Sequence, residues 1–195
     1  MSSERLLALT GWVIEKLETH EINFKSLTGD ASFRRYYRIE ILTDQLPAIV
    51  SQRTLIVMDA PPPREDCRPF LAICEMLGRH NVRVPKIIAS DVTEGFIILE
   101  DFGDTVLSQV LTEENVDALY SQAMNQLIEL QQTPPLERYP LPAYGEIKLV
   151  DEMSLFDEWF LRKFLMLKPS QEEMNLLMTT YDFLANQARR QPQVV

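Results

Sequence analysis

The chain has 195 residues, enough for one sizeable domain or for a small domain joined to part of a second. Its 46% hydrophobic and 25% charged residues are ordinary for a globular protein, and a net charge of −10 argues against a general surface for nucleic acid or anionic membrane. No run approaches the roughly 20 apolar residues that span a bilayer, and the start Met-Ser-Ser-Glu-Arg lacks the apolar core of a signal peptide, so a cytoplasmic location is expected.

Leu6, Leu9, Val13 and Leu17 recur at helical spacing, which predicts an amphipathic helix from Ser3 to Leu17. Residues 27 to 39 then join a turn of small residues to a β-prone run. Gly29 can take a positive φ, Asp30, Ala31 and Ser32 are small enough to let peptide N–H groups face an anion, and Arg34, Arg35 and Arg38 place positive charge nearby. A backbone cradle for phosphate and an ordinary hairpin turn before an edge strand both fit these residues.

Tyr37, Ile39 and Ile41 alternate with Arg38, Glu40 and Leu42, the pattern of a strand with one wet face. Thr54 to Met58 is a short branched apolar run, read as a buried strand, and it stops at Asp59-Ala60-Pro61-Pro62-Pro63 because proline cannot donate to a ladder. Phe70, Ile73, Cys74 and Leu77 form the stripe of a short helix with Gly78 at the place of a C-terminal cap. Cys67 and Cys74 stand seven residues apart in this helical region, about 10 Å along the axis and too far for a disulfide. They read as buried apolar fillers in a reducing compartment. Pro85 to Ala89 and Gly95 to Glu100 give two more strands around a turn at Asp91 to Glu94. The order of elements predicts an α+β lobe with a mainly antiparallel sheet.

Beyond Asp104 the pattern is helical. Thr112 is the expected cap of a helix whose buried face is supplied by Val116, Leu119, Tyr120, Ala123, Leu127 and Leu130, with Leu111 and Val116 as a hydrophobic staple. A further helix carries Phe156, Trp159, Phe160 and Phe164. Ser170-Gln171-Glu172-Glu173 is a capping box opening a last helix over Leu177, Met178, Tyr181 and Leu184.

This arrangement resembles the kinase-like phosphotransferases. Gly29-Asp30-Ala31-Ser32 with Arg34-Arg35-Tyr36, Ile56 to Pro62, Val84-Pro85-Lys86 and Leu99-Glu100-Asp101-Phe102-Gly103 together are similar to the bacterial cell-wall sugar kinases of the aminoglycoside phosphotransferase family. Those enzymes phosphorylate N-acetylmuramate or N-acetylglucosamine at the anomeric hydroxyl. The resemblance implies a protein-kinase-like N-lobe over residues 1–103, with a hinge at its end, and an incomplete helical C-lobe over 104–195. It implies that Gly29, Asp30, Ala31 and Ser32 cover the ATP phosphates, with Arg34 or Arg35 contributing charge. Backbone groups of Glu100 and Phe102 would hold the adenine edge.

The resemblance also marks what is not found. The strand position that carries a phosphate-binding lysine in typical kinases reads Val57-Met58-Asp59, and Glu75, in the expected helix, is read as an exposed residue. Asp101-Phe102-Gly103 follows the hinge strand with no catalytic loop before it, so it is not read as a metal site. His20 and His80 are read as surface residues. A His-Arg-Asp type loop with its catalytic base and metal-binding residues is not identified before Val195, so no catalytic or metal-ligating residue is assigned and Mg²⁺ is expected only as the ATP complex. The expectation is the front part of an ATP-dependent amino-sugar kinase, truncated before its catalytic loop and inactive alone. Two alternatives are a nucleotide-binding module without turnover and an interaction protein that self-associates through the Phe156, Trp159, Phe160 and Phe164 stripe.

Overall fold

Helix α1, Ser3–Leu17, forms as its apolar spacing predicts and lays Leu9, Val13 and Leu17 on one face of a sheet while Leu7 stays exposed. The computed structural model of the protein describes residues 3–27 and 32–191. The sheet has five strands: β1 (Ile22–Ser26), β2 (Arg35–Ile41), β3 (Thr54–Asp59), β4 (Ile87–Asp91) and β5 (Phe96–Glu100). Their order is β1-β2-β3-β5-β4, and every neighbouring pair is antiparallel.

Alternation of side chains along each strand gives the sheet two apolar faces. Tyr37, Ile39, Ile41, Leu55, Val57, Phe96 and Ile98 form one core with α1. Met58, Ile97 and Leu99 form the other with Cys67, and Tyr36, Ile56, Phe70 and Leu71 pack against it. Phe70 and Leu71 belong to helix α2, Arg68–Gly78. A strand covered on both faces is apolar at successive positions, which is why Thr54 to Met58 is a continuous run. Each large side chain so buried contributes about 2 kcal/mol.

Strand β1 is not foreseen in the sequence. Only Ile22 and Phe24 are apolar in its five residues, and it is an edge strand held by the ladder to β2, in which Phe24 faces Ile39. Two helix ends also differ from expectation. Gly78 lies inside α2, whose cap is Arg79; the left-handed residue is Asn81, with φ of 62°. A Cβ on Gly78 would stand 3.3 Å from Val84 Cγ2, so glycine here serves close packing. Helix α4, Val116–Gln132, follows the short α3, Leu107–Val110; Asn115 rather than Thr112 stands at its N-cap, without a side-chain bond to the helix, and the residues expected to supply its buried face are not buried, Tyr120 and Leu127 being exposed. Asn115 Oδ1 accepts the Thr112 N–H at 2.8 Å, making residues 112–115 a closed turn before the helix.

By compactness the chain divides into units of residues Met1–Tyr139 and Pro140–Val195, so α3 and α4 fall with the sheet. In the second unit α5, Glu146–Leu155, runs into a π-helix, Phe156–Phe164, and α6 spans Gln171–Arg189. The capping box at α6 forms as read: Ser170 N–H donates to Glu173 Oε2 at 2.7 Å and Glu173 N–H to Ser170 Oγ at 3.3 Å. Phe156, Phe160 and Phe164 stack along the π-helix with ring centroids 5.5 and 5.8 Å apart.

Candidate functional site

The turn between β1 and β2 ends in a knot of hydrogen bonds. Ser32 Oγ accepts the Arg34 N–H at 2.9 Å and donates to Glu65 Oε1 at 3.2 Å. The Phe33 N–H donates to the same carboxylate oxygen at 3.1 Å, and Arg34 Nε to Glu65 Oε2 at 3.1 Å. The Arg64 guanidinium lies 5.2 Å from the centroid of the Phe33 ring. Of the loop residues singled out in the sequence, Gly29, Asp30 and Ala31 lie outside the described residues. Ser32 and Arg34 are brought together, and a carboxylate already balances the Arg34 charge.

Glu65 escapes sequence reading because it sits in a proline-rich, charge-mixed segment 33 residues from its partner Ser32. Its position follows from the Asp-Ala-Pro-Pro element. Asp59 ends β3 fully buried, and its Oδ1 receives Arg5 Nε at 2.9 Å and Arg5 Nη2 at 2.6 Å. Ala60 N–H donates to Gly95 O at 2.8 Å. Pro61 O then accepts the N–H groups of Arg64 and Glu65 at 3.0 and 3.2 Å, a turn that swings the Glu65 side chain back onto Ser32, Phe33 and Arg34.

The connector after β5 is braced from two sides. Glu100 donates its N–H to Lys86 O at 2.9 Å, which anchors the end of β5 to the segment before β4. Its carboxylate takes Arg83 Nη1 at 2.9 Å, Arg83 Nη2 at 2.5 Å and the Lys86 N–H at 3.1 Å. The Arg83 hydrogen bonds hold that carboxyl below its usual range. Phe102 is exposed, with the Arg83 guanidinium 4.7 Å from its ring centroid.

Arg38, projecting from β2, makes the second brace. Its Nη2 donates to Asp101 Oδ1 at 3.1 Å, its Nε approaches Asp101 Oδ2 at 2.7 Å, and its Nη1 reaches Asp104 Oδ2 at 2.6 Å. Burial works against the charge on Asp101, but the hydrogen bonds from Arg38, the Gly103 N–H and Thr54 together hold its carboxyl below the ordinary value. Gly103 has φ of 78°, a left-handed conformation that suits glycine. The Asp101-Phe102-Gly103 tripeptide is thus occupied in shaping the connector.

Cross-strand register places Arg38, Ile56 and Leu99 in one row and Tyr36, Met58 and Ile97 in the next. Met58 therefore shares the α2 side of the sheet with Ile97 and Leu99, whereas Asp59 is held by Arg5 of α1. Glu75 on α2 pairs with Arg79, 2.6 Å away, and with Arg138. The carboxylate is therefore satisfied by arginines. His80 bonds the Met76 carbonyl through Nδ1 at 2.9 Å, and His20 is exposed. Among the described residues no three His, Cys, Asp or Glu side chains gather as a metal ion requires.

Comparison with known proteins bears on the same span. Residues 23–194 match the profile of the phosphotransferase enzyme family. The chain is 38% identical, over 86% of its length, to an N-acetylmuramate/N-acetylglucosamine kinase of Pseudomonas aeruginosa, 46% of which is covered. It is 34% identical over 98% of its length to a protein of the same name from Pseudomonas putida, 56% of which is covered. A third, from Neisseria meningitidis serogroup B, is 27% identical over 98% of the chain and 55% of its own length. The chain spans about half the length of the curated relatives it matches.

Proposed function

The chain belongs to the phosphotransferase enzyme family, and from that premise we propose that it forms the nucleotide-binding part of an ATP-dependent amino-sugar kinase. The observation that carries this reading is the Arg38 brace. It ties β2, the strand that follows the small-residue turn, to the connector at Asp101 and Asp104, so that strand and the connector expected under the adenine are fixed to one another.

In this reading the turn from Gly29 to Ser32, with Arg34, lies over the ATP phosphates. The Glu100 carbonyl and the Phe102 N–H receive the adenine edge, and the lobe boundary follows at residue 103. In the complete reaction the γ-phosphoryl group of ATP passes to a sugar hydroxyl, ADP leaves as the bridging P–O bond breaks, and the hydroxyl proton passes to a carboxylate base. No side chain described here is assigned as that base, and magnesium would arrive with the nucleotide. Titration with a fluorescent ATP analogue tests the reading: saturable binding that weakens on Gly29→Val or Ser32→Ala is expected, and no binding by the folded wild type overturns it. A coupled assay is expected to find no phosphorylation of N-acetylglucosamine by these 195 residues alone; ATP-dependent turnover would contradict that part.

A second reading as a self-associating module has its own observation. Phe156, Trp159, Phe160 and Phe164 are 46 to 73% exposed along the π-helix, a continuous aromatic surface of the kind that marks association sites. Light scattering that stays monomeric at high concentration would exclude it.

A further inference from the structure

We infer that Glu65 is a positioning residue for the phosphate loop, an inference that rests on the nucleotide reading of the turn before β2. Three donors at the end of that turn converge on one carboxylate: the Ser32 hydroxyl and Phe33 N–H on Oε1, at 3.2 and 3.1 Å, and Arg34 Nε on Oε2 at 3.1 Å. Two of them belong to residues that enter or flank the expected anion cradle, and the third is Arg34, whose charge the same carboxylate balances.

Glu65 is itself fixed by a chain of contacts that runs through the protein's most distinctive sequence element. Arg5 holds Asp59, the Ala60 N–H is on Gly95 O, and Pro61 O gathers the N–H groups of Arg64 and Glu65. The Asp59-Ala60-Pro61-Pro62 element thereby delivers a carboxylate to the base of the loop. Donors already held in place cost less conformational entropy to order around a ligand than free ones, and Glu65 clamps Ser32, Phe33 and Arg34 in this way. Arg34 neutralises the clamp, so the carboxylate adds little net repulsion toward a polyphosphate.

The same geometry admits an opposite role, in which Glu65 occupies the anion site and the nucleotide must displace it. Binding decides between them. A clamp predicts that Glu65→Ala weakens a ribose-labelled fluorescent ATP about tenfold, equivalent to about 1.4 kcal/mol, and leaves the identically labelled AMP within about twofold. Glu65→Gln, which keeps an acceptor for Ser32 and Phe33 but loses the Arg34 ion pair, should fall between. Tighter ATP binding by either variant, or equal loss for ATP and AMP, overturns the inference. Exchange of the Phe33 amide with solvent, followed by NMR without nucleotide, gives a separate arm. It should quicken about tenfold in Glu65→Ala, on the same tenfold scale; an unchanged rate overturns the clamp. If the wild type binds neither nucleotide, the nucleotide reading fails, while the amide arm still decides whether Glu65 fixes the loop end.

Discussion

Arg5 and Asp59 lock the first turn of α1 to the last residue of β3. Arg5 Nη2 stands 2.6 Å from Asp59 Oδ1, and the Asp59 side chain is wholly buried. The same guanidinium donates to the Glu94 carbonyl at 2.7 Å and lies 4.8 Å from the centroid of the Phe96 ring, so one side chain gathers the ends of β3 and the β4–β5 turn.

Removing Arg5 leaves a buried carboxylate without its counter-charge, and among the described residues Asp59 Oδ2 already has no hydrogen bond. Arg5→Ala should destabilise the protein by about 3 kcal/mol, read as a lower urea midpoint at unchanged slope. The double change Arg5→Met with Asp59→Leu should cost less than Arg5→Ala, because no charge is then stranded. A double variant as unstable as the sum of Arg5→Met and Asp59→Leu measured singly would show that the pair is not coupled.

Gly95 answers to the same corner. Its φ is 73°, and a Cβ built there would stand 2.0 Å from the Ala60 carbonyl oxygen, a backbone atom that cannot swing aside. Gly95→Ala should therefore cost about 3 kcal/mol or more and break the Ala60 N–H bond to Gly95 O. A thermal midpoint within two degrees of wild type, on the order of 0.5 kcal/mol, would refute this account of the glycine.

These contacts explain what the sequence discloses and what it hides. Periodicity exposes α1, the buried strand β3 and the α6 capping box because each rests on a local pattern: apolar residues at helical spacing, a run covered on both faces, and Ser170 with Glu173 one turn apart. Strand β1 is held by its neighbour and has too few apolar residues to show alternation. Glu65 is invisible for a related reason. Its partners are 31 to 33 residues away, and only the Pro61 turn, itself set by Arg5, Asp59 and Gly95, brings them together. The Asp-Ala-Pro-Pro element is legible as a family mark, but its physical role is not local.

Arg83 separates stability from binding. It pairs with Glu100 and covers the Phe102 ring while remaining largely exposed. An ion pair so placed contributes little to folding, so Arg83→Ala should leave the urea midpoint almost unchanged. If Glu100 and Phe102 hold adenine, the loss of their brace should weaken labelled ATP and labelled AMP alike, by about threefold, or roughly 0.7 kcal/mol. That pattern differs from the one expected for Glu65→Ala, where the loss is confined to ATP, and an ATP-only effect of Arg83→Ala would remove the connector from the adenine site.

Asp101 supplies the pH dependence. Burial raises its carboxyl, the Arg38, Gly103 and Thr54 hydrogen bonds lower it by more, and the folded value ends below the ordinary one. For a carboxyl depressed on folding, the unfolded chain binds the proton first as pH falls. The stabilisation is therefore complete well above the unfolded value of about 3.9, shrinks as pH drops through it, and is gone below the folded value. Asp101→Asn should destabilise the protein by about 2 kcal/mol at pH 7, the order expected for hydrogen bonds to a charged group. The gap between wild type and variant, measured as urea midpoints from pH 6 to pH 3, should narrow steadily below about pH 5. Asp104 shares the Arg38 guanidinium, so the comparison is repeated on an Asp104→Asn background, where among the described residues Asp101 alone is the carboxylate on Arg38. A gap that holds constant to pH 3 would mean that the Asp101 charge contributes nothing to the brace on Arg38, and that packing alone sets the connector.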